Sequence, residues 1–74
     1  MKGSPERPIE DLGLTTRALE ALKKAGIENV GQFIERLSAG NQALLSIQGF
    51  GQASLTAAKK KLRQLGYELP EAAA

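Results

Sequence analysis

The residues best suited to chemistry lie between Leu44 and Leu55. The run Leu44-Leu45-Ser46-Ile47-Gln48-Gly49-Phe50-Gly51-Gln52-Ala53-Ser54-Leu55 has the form of a helix, a hydrophobic-x-Gly-hydrophobic-Gly hairpin and a second helix. Two glycines flanking one apolar residue permit a tight reversal with positive φ, and Phe50 between them can point back to pin the two helices. Backbone without side chains at Gly49 and Gly51 leaves amide N–H groups open. A helix starting near Gln52 adds N–H groups that have no intrahelical partner, together with the positive end of its dipole. That combination suits a phosphate oxygen. No acid lies between Gln52 and Thr56 to repel one, and Ser54 can supply a hydroxyl. The plainer reading is that a Gly-x-Gly turn simply joins two helices.

Two further sets of cations bear on the same chemistry. Lys59, Lys60, Lys61 and Arg63 fall in an acid-free segment between Arg36 and Tyr67, whereas the acids collect earlier, at Glu6, Glu10, Asp11, Glu20, Glu28 and Glu35. A one-signed segment creates a local positive potential that attracts a polyanion. Its ordinary reading is a solvated face, helped by the preference of cations for a helix C-terminus. Arg17 falls in the first turn of a helix, where a cation opposes the dipole. Its ordinary reading is a surface arginine; the alternative is an external anionic partner.

Composition removes other classes of function. The 74 residues include no cysteine and no histidine, so a disulfide framework and a Cys/His zinc site are both excluded. A nucleophile would need an Asp, Glu or Lys base held in a cleft, and the acids are scattered. The hairpin lacks the length and the Gly-Lys-Ser/Thr ending of a phosphate-binding Walker loop. The expectation is a non-enzyme without metal, cofactor or small-molecule substrate. Phe33, Phe50 and Tyr67 are the only aromatics, too few for a single-strand stacking platform. No apolar run approaches the ~20 residues of a membrane span, and no secretory segment opens the sequence. A net charge of +2, with a pI near 9.2, is mildly basic. A soluble, cytoplasmic domain with no membrane partner is expected.

The elements that must position these residues are helical throughout. Residues 1–8, with Gly3, Ser4, Pro5 and Pro8, read as a flexible lead-in. Residues 9–69 form one domain, and residues 70–74 a frayed tail after Pro70. Ile9–Leu12 suggests one short turn. Thr15 reads as the N-cap of the first helix, with Leu14 and Leu19 as its hydrophobic staple. Gly26 ends that helix, with Ile27 closing on Leu22. Asn29 opens a second helix, with Gln32 as capping-box partner; Val30, Phe33, Ile34 and Leu37 supply its apolar spacing. Ser38–Asn41 reads as a turn and Ala43–Ile47 as a short third helix. The last helix starts near Gln52, buries Leu55, Ala58, Leu62 and Leu65, and ends at Gly66 with Tyr67 closing on Leu62. The fold expected is all-α: a compact bundle of four to five short helices containing a helix-hairpin-helix.

The stretch from Arg7 to Leu69 resembles the C-terminal domain of the bacterial RNA polymerase alpha subunit. The resemblance is carried by Arg7-Pro8-Ile9-Glu10-Asp11-Leu12, Leu14-Thr15-Thr16-Arg17 and Leu22-Lys23-Lys24-Ala25-Gly26-Ile27. It continues through Leu44-Leu45, Phe50-Gly51, Ser54-Leu55, Leu62 and Leu65-Gly66-Tyr67-Glu68-Leu69. It implies a non-catalytic helical domain that binds the minor groove of A·T-rich duplex DNA upstream of promoters. It also implies a landing surface for transcription activators and for the sigma factor. Arg17 stands where that family inserts an arginine into the groove, and Gly51 and Ser54 match the hairpin positions that touch phosphate. Two departures stand out. Glu20 replaces an asparagine that commonly contacts DNA, and Gly51-Gln52-Ala53-Ser54 replaces Gly-Lys-Lys-Ser. The turn at Ser38–Asn41 also looks a few residues longer than usual.

Two functions follow. In the first, the domain binds double-stranded DNA through Arg17, Gly49, Gly51, Gln52, Ser54 and Lys59, reading groove width rather than bases. In the second, the same fold docks on RNA polymerase, the sigma factor or a regulator through Glu10, Asp11 and Glu20, or through the Lys59–Lys61 surface. Arg17 and the hairpin favour the first; Glu20 and the missing lysines favour the second, because each lost phosphate contact weakens binding and flattens its salt dependence.

Overall fold

A computed structural model describes residues 6–69. Residues 1–5 and 70–74, which hold most of the expected lead-in and the expected tail, lie outside the described residues. Among the described residues, four α-helices follow one 3-10 turn (Ile9–Leu12): α1 (Thr16–Lys24), α2 (Val30–Leu37), α3 (Asn41–Leu45) and α4 (Gln52–Gln64). The helix count and the all-α class agree with the sequence expectation.

Local chemistry sets most of the boundaries. The Thr15 hydroxyl accepts from the Ala18 amide at 3.2 Å, capping α1, and Leu14 and Leu19 are half-buried against the core as a staple requires. At the other end Gly26 has φ +87°. The Gly26 amide donates to the Lys23 carbonyl at 3.0 Å and the Ile27 amide to the Leu22 carbonyl at 2.9 Å, the paired bonds of a Schellman end. The Arg36 guanidinium adds a bond at 3.3 Å to the carbonyl of Ala25, tying α2 to the end of α1. Asn29 and Gln32 form the full capping box of α2: the Gln32 amide donates to Asn29 Oδ1 at 2.8 Å, and the Asn29 amide to Gln32 Oε1 at 3.3 Å. α4 repeats the Schellman end at Gly66, with the Tyr67 amide donating to the Leu62 carbonyl at 3.0 Å.

Two segments differ from the sequence reading. α3 starts at Asn41, two residues before the expected Ala43, and stops at Leu45, leaving Ser46 and Ile47 in the hairpin turn. Gly40, at φ +112°, completes the reversal by itself, so Asn41 is already helical. Arg7 and Pro8, the end of the expected lead-in, are held. The Val30 amide donates to the Arg7 carbonyl at 2.8 Å and the Ile9 amide to the Glu28 carbonyl at 3.3 Å, a single bridge between Pro8 and Asn29. The extended backbone around Pro8 thus supplies partners for backbone groups beside the α2 cap.

Apolar packing closes the fold. Ile9, Leu12, Leu22, Ile27, Val30, Phe33, Leu37, Leu44, Phe50, Leu55 and Leu62 are buried, and no polar or charged residue is buried among the described residues. Phe50 sits edge-on to Phe33, with ring centroids 6.0 Å apart and planes at 67°, a favoured aromatic geometry. Phe50 therefore anchors the hairpin to α2, as well as joining the helices on either side of it.

Candidate functional site

The hairpin is set by one left-handed residue rather than two. The Phe50 amide donates to the Ile47 carbonyl at 3.1 Å, and Gly49 takes φ +93°. A β-carbon at Gly49 would lie 3.3 Å from Cβ of Ala21 and 4.0 Å from the carbonyl oxygen of Arg17. Glycine here thus meets two demands at once, positive φ and close approach to α1. Gly51 differs from the sequence expectation of positive φ. Its φ of −101° and ψ of −176° are extended, because it is the N-cap of α4, and N-caps occupy the β region. That helix start has no side-chain cap, so the amides of its first turn have no capping side chain as partner.

Seating Gly49 on Ala21 carries Arg17 beside the hairpin. One groove is lined by Thr15, Arg17, Leu45, Ser46, Ile47, Gln48, Gly49, Phe50, Gly51 and Ser54. Among the described residues, Arg17 is its only charged one. A second groove is lined by Arg17, Glu20, Ala21, Lys24, Ala25, Ile47, Gln48 and Gly49. Arg17 belongs to both and is exposed. Four sequence candidates, Arg17, Gly49, Gly51 and Ser54, therefore share one groove. Gln52 and Lys59 do not line it. They sit seven residues apart on one edge of α4, where Gln52 is exposed and Lys59 half-buried. Lys60 and Arg63 are exposed and Lys61 half-buried, all outside both grooves.

Of the three acids proposed for protein docking, two are engaged in ion pairs. Glu10 Oε2 lies 2.6 Å from Lys23 Nζ, linking the 3-10 turn to α1, and Asp11 Oδ2 lies 3.0 Å from Arg7 Nε. The hydrogen bond from Lys23, followed by the backbone around Glu10 itself, holds the Glu10 carboxyl below the usual carboxylate range; the same bond holds Lys23 above its ordinary value. Glu20 is exposed and lines the second groove, within electrostatic reach of Lys23 but without an ion pair among the described residues. No group of three or more acids able to hold a metal ion occurs among the described residues, and none of their helices is long and apolar enough to cross a membrane.

Sequence reasoning did not single out Ile47, Gln48 and Lys24 as site residues. The signal for Lys24 was present in its spacing, seven residues after Arg17, which returns it to the same helix face. Ile47 and Gln48 needed the tertiary contact of Gly49 with Ala21.

Comparison with known proteins fits this architecture. Residues 2–64 match the family described as the C terminal domain of the alpha chain of bacterial RNA polymerase. The sequence is 45% identical over 67 residues, 90% of its length, to a DNA-directed RNA polymerase subunit alpha of Beutenbergia cavernae. It is 41% identical over 66 residues, 89% of its length, to that of Cutibacterium acnes. With that of Acidothermus cellulolyticus it shares 44% over 64 residues, 86% of its length. It spans 19%, 19% and 18% of those three relatives, about a fifth of each. No solved structure matches.

Proposed function

The protein belongs to the family of C-terminal domains of the bacterial RNA polymerase alpha subunit, and from that premise we propose that it binds the minor groove of A·T-rich duplex DNA. The family makes it a transcription-related, non-catalytic module. The observation that carries the finer reading is the shared groove of Arg17, Gly49, Gly51 and Ser54, which contains no acid among the described residues. An exposed guanidinium suits a narrow minor groove, where the negative potential is enhanced. The uncapped amides at the start of α4 and the Ser54 hydroxyl suit the flanking phosphate oxygens. Gln52, beside those amides, and Lys59, further along α4, are outlying contacts in this reading.

A second reading has one observation in its favour. The Glu20 carboxylate is exposed beside Arg17 and makes no ion pair among the described residues, so it repels phosphate and is available to a basic protein surface. In that reading the domain docks on RNA polymerase, the sigma factor or an activator. Glu10 and Asp11 serve it less well, being already paired with Lys23 and Arg7.

Titration of labelled protein with an A·T-rich and a G·C-rich duplex, followed through backbone amide shifts at low and moderate salt, separates the two. The DNA reading expects shifts at Arg17 and residues 49–55, larger for the A·T-rich duplex, weaker in salt and lost in Arg17→Ala. Absence of shifts with either duplex at low salt overturns it and directs the search to polymerase proteins.

A further inference from the structure

Lys24 plays no part in the DNA contacts described so far, yet it shares a face with Arg17. Seven residues of helix separate the two, placing them about 20° apart around α1 and about 10.5 Å apart along it. Both line the second groove, with Glu20 and Ala21 between them. Lys24 is exposed and makes no ion pair among the described residues. Glu20 stands four residues before it, in the order that favours a helical pair, but the two are not joined.

The two grooves share Arg17 and the hairpin residues Ile47, Gln48 and Gly49. Gly51 and Ser54 line only the first. Glu20 and Lys24 line only the second. With a minor groove seated over Arg17 and one strand on the hairpin, the other strand would run toward the later turns of α1, where Lys24 is the one cation besides Arg17 among the described residues lining the second groove. Resting on the DNA reading above, we propose that Lys24 grips a phosphate of the second strand and offsets the repulsion of that strand by Glu20. The loss of hairpin lysines is then compensated from α1. A cation in the last turn of α1 also favours the helix dipole, so the test must separate binding from folding.

Binding of an A·T-rich and a G·C-rich duplex, measured by fluorescence anisotropy between about 50 and 200 mM salt, does so. Lys24→Gln is expected to weaken binding several-fold and to reduce the log–log salt slope by about 0.9, the loss of one phosphate contact, with the A·T preference intact. Lys24→Arg restores both, and Lys60→Gln, outside both grooves, leaves the slope unchanged. Thermal melting checks that each variant folds. An unchanged slope in Lys24→Gln, while Arg17→Ala loses the A·T preference, overturns the role of Lys24 and leaves the DNA reading standing. Equal losses in Lys24→Gln and Lys60→Gln also overturn it, since net charge alone then accounts for the effect. No binding by the unaltered protein overturns both.

Discussion

Gly49 and Gly51, two residues apart, answer to different physics. Gly49 holds φ +93° with Cβ of Ala21 3.3 Å from where its own β-carbon would stand. Alanine there is strained in backbone and pressed against α1, so Gly49→Ala is expected to lose about 1–2 kcal/mol. At roughly 4–8 °C per kcal/mol for a domain of this size, thermal denaturation resolves that loss. Gly51 is extended, with open space where a β-carbon would go. Aspartate at this N-cap accepts from first-turn amides and faces the positive end of the α4 dipole, so Gly51→Asp is expected to gain a few tenths to about 1 kcal/mol. It also fills the anion position with a carboxylate. The variant should melt higher than the unaltered protein and fail to bind A·T-rich DNA; retention of binding would exclude a phosphate at this helix start.

At the scale of elements, what was legible in the sequence was what neighbours in sequence determine. Thr15, the Asn29–Gln32 box, Gly26 and Gly66 each act within a few residues, and all four boundaries lie where local chemistry put them. The start of α3 was not legible because no capping residue announces it. A glycine at φ +112° does the turning and Asn41, a common turn residue, lies inside the helix. The site divided in the same way. Arg17 and the hairpin could be read locally, and the spacing of Lys24 from Arg17 was legible on α1, but the meeting of that helix face with the hairpin depends on Gly49 packing on α1. The ion pair of Glu10 with Lys23, between the 3-10 turn and α1, was hidden for the same reason. Its sign is set by the two shifts. Glu10 is held below its ordinary value, so the pair stabilises above the unfolded carboxylate pKa and is lost as pH falls through the lowered folded one. Lys23 is held above its ordinary value, so the stabilisation is also lost as pH rises through that raised value. Lys23→Gln should therefore melt slightly below the unaltered protein at neutral pH and match it at about pH 2–3. Both side chains are about half exposed, so the gap is small and shrinks in high salt.

At the scale of the whole molecule, stability and site rest on the same apolar cluster. Without cysteine or histidine the protein has no disulfide and no Cys/His metal centre to brace it, and a domain this short has a stability of about 4–11 kcal/mol. Phe50 is 2% exposed, meets Phe33 edge-on and occupies the middle of the hairpin that positions Gly49 and Gly51. Truncating a buried phenylalanine to alanine removes about 3–5 kcal/mol, about a quarter or more of that total. Phe50→Ala is accordingly expected to lower the melting temperature by at least about 12 °C, read by the loss of helical circular dichroism. The consequence for binding goes beyond the loss of folded protein. Phe50 fixes the hairpin against α2 while Gly49 fixes it against α1, and the groove between Arg17 and Ser54 exists only while both hold. In the cold, where much of the variant remains helical, its affinity for A·T-rich DNA should fall further than the folded fraction falls. Phe50→Leu, which keeps most of the volume, should retain most of both. A variant that loses stability but binds in strict proportion to its folded fraction would mean that α1 and α4 alone hold the groove, and that Phe50 serves the core without shaping the site.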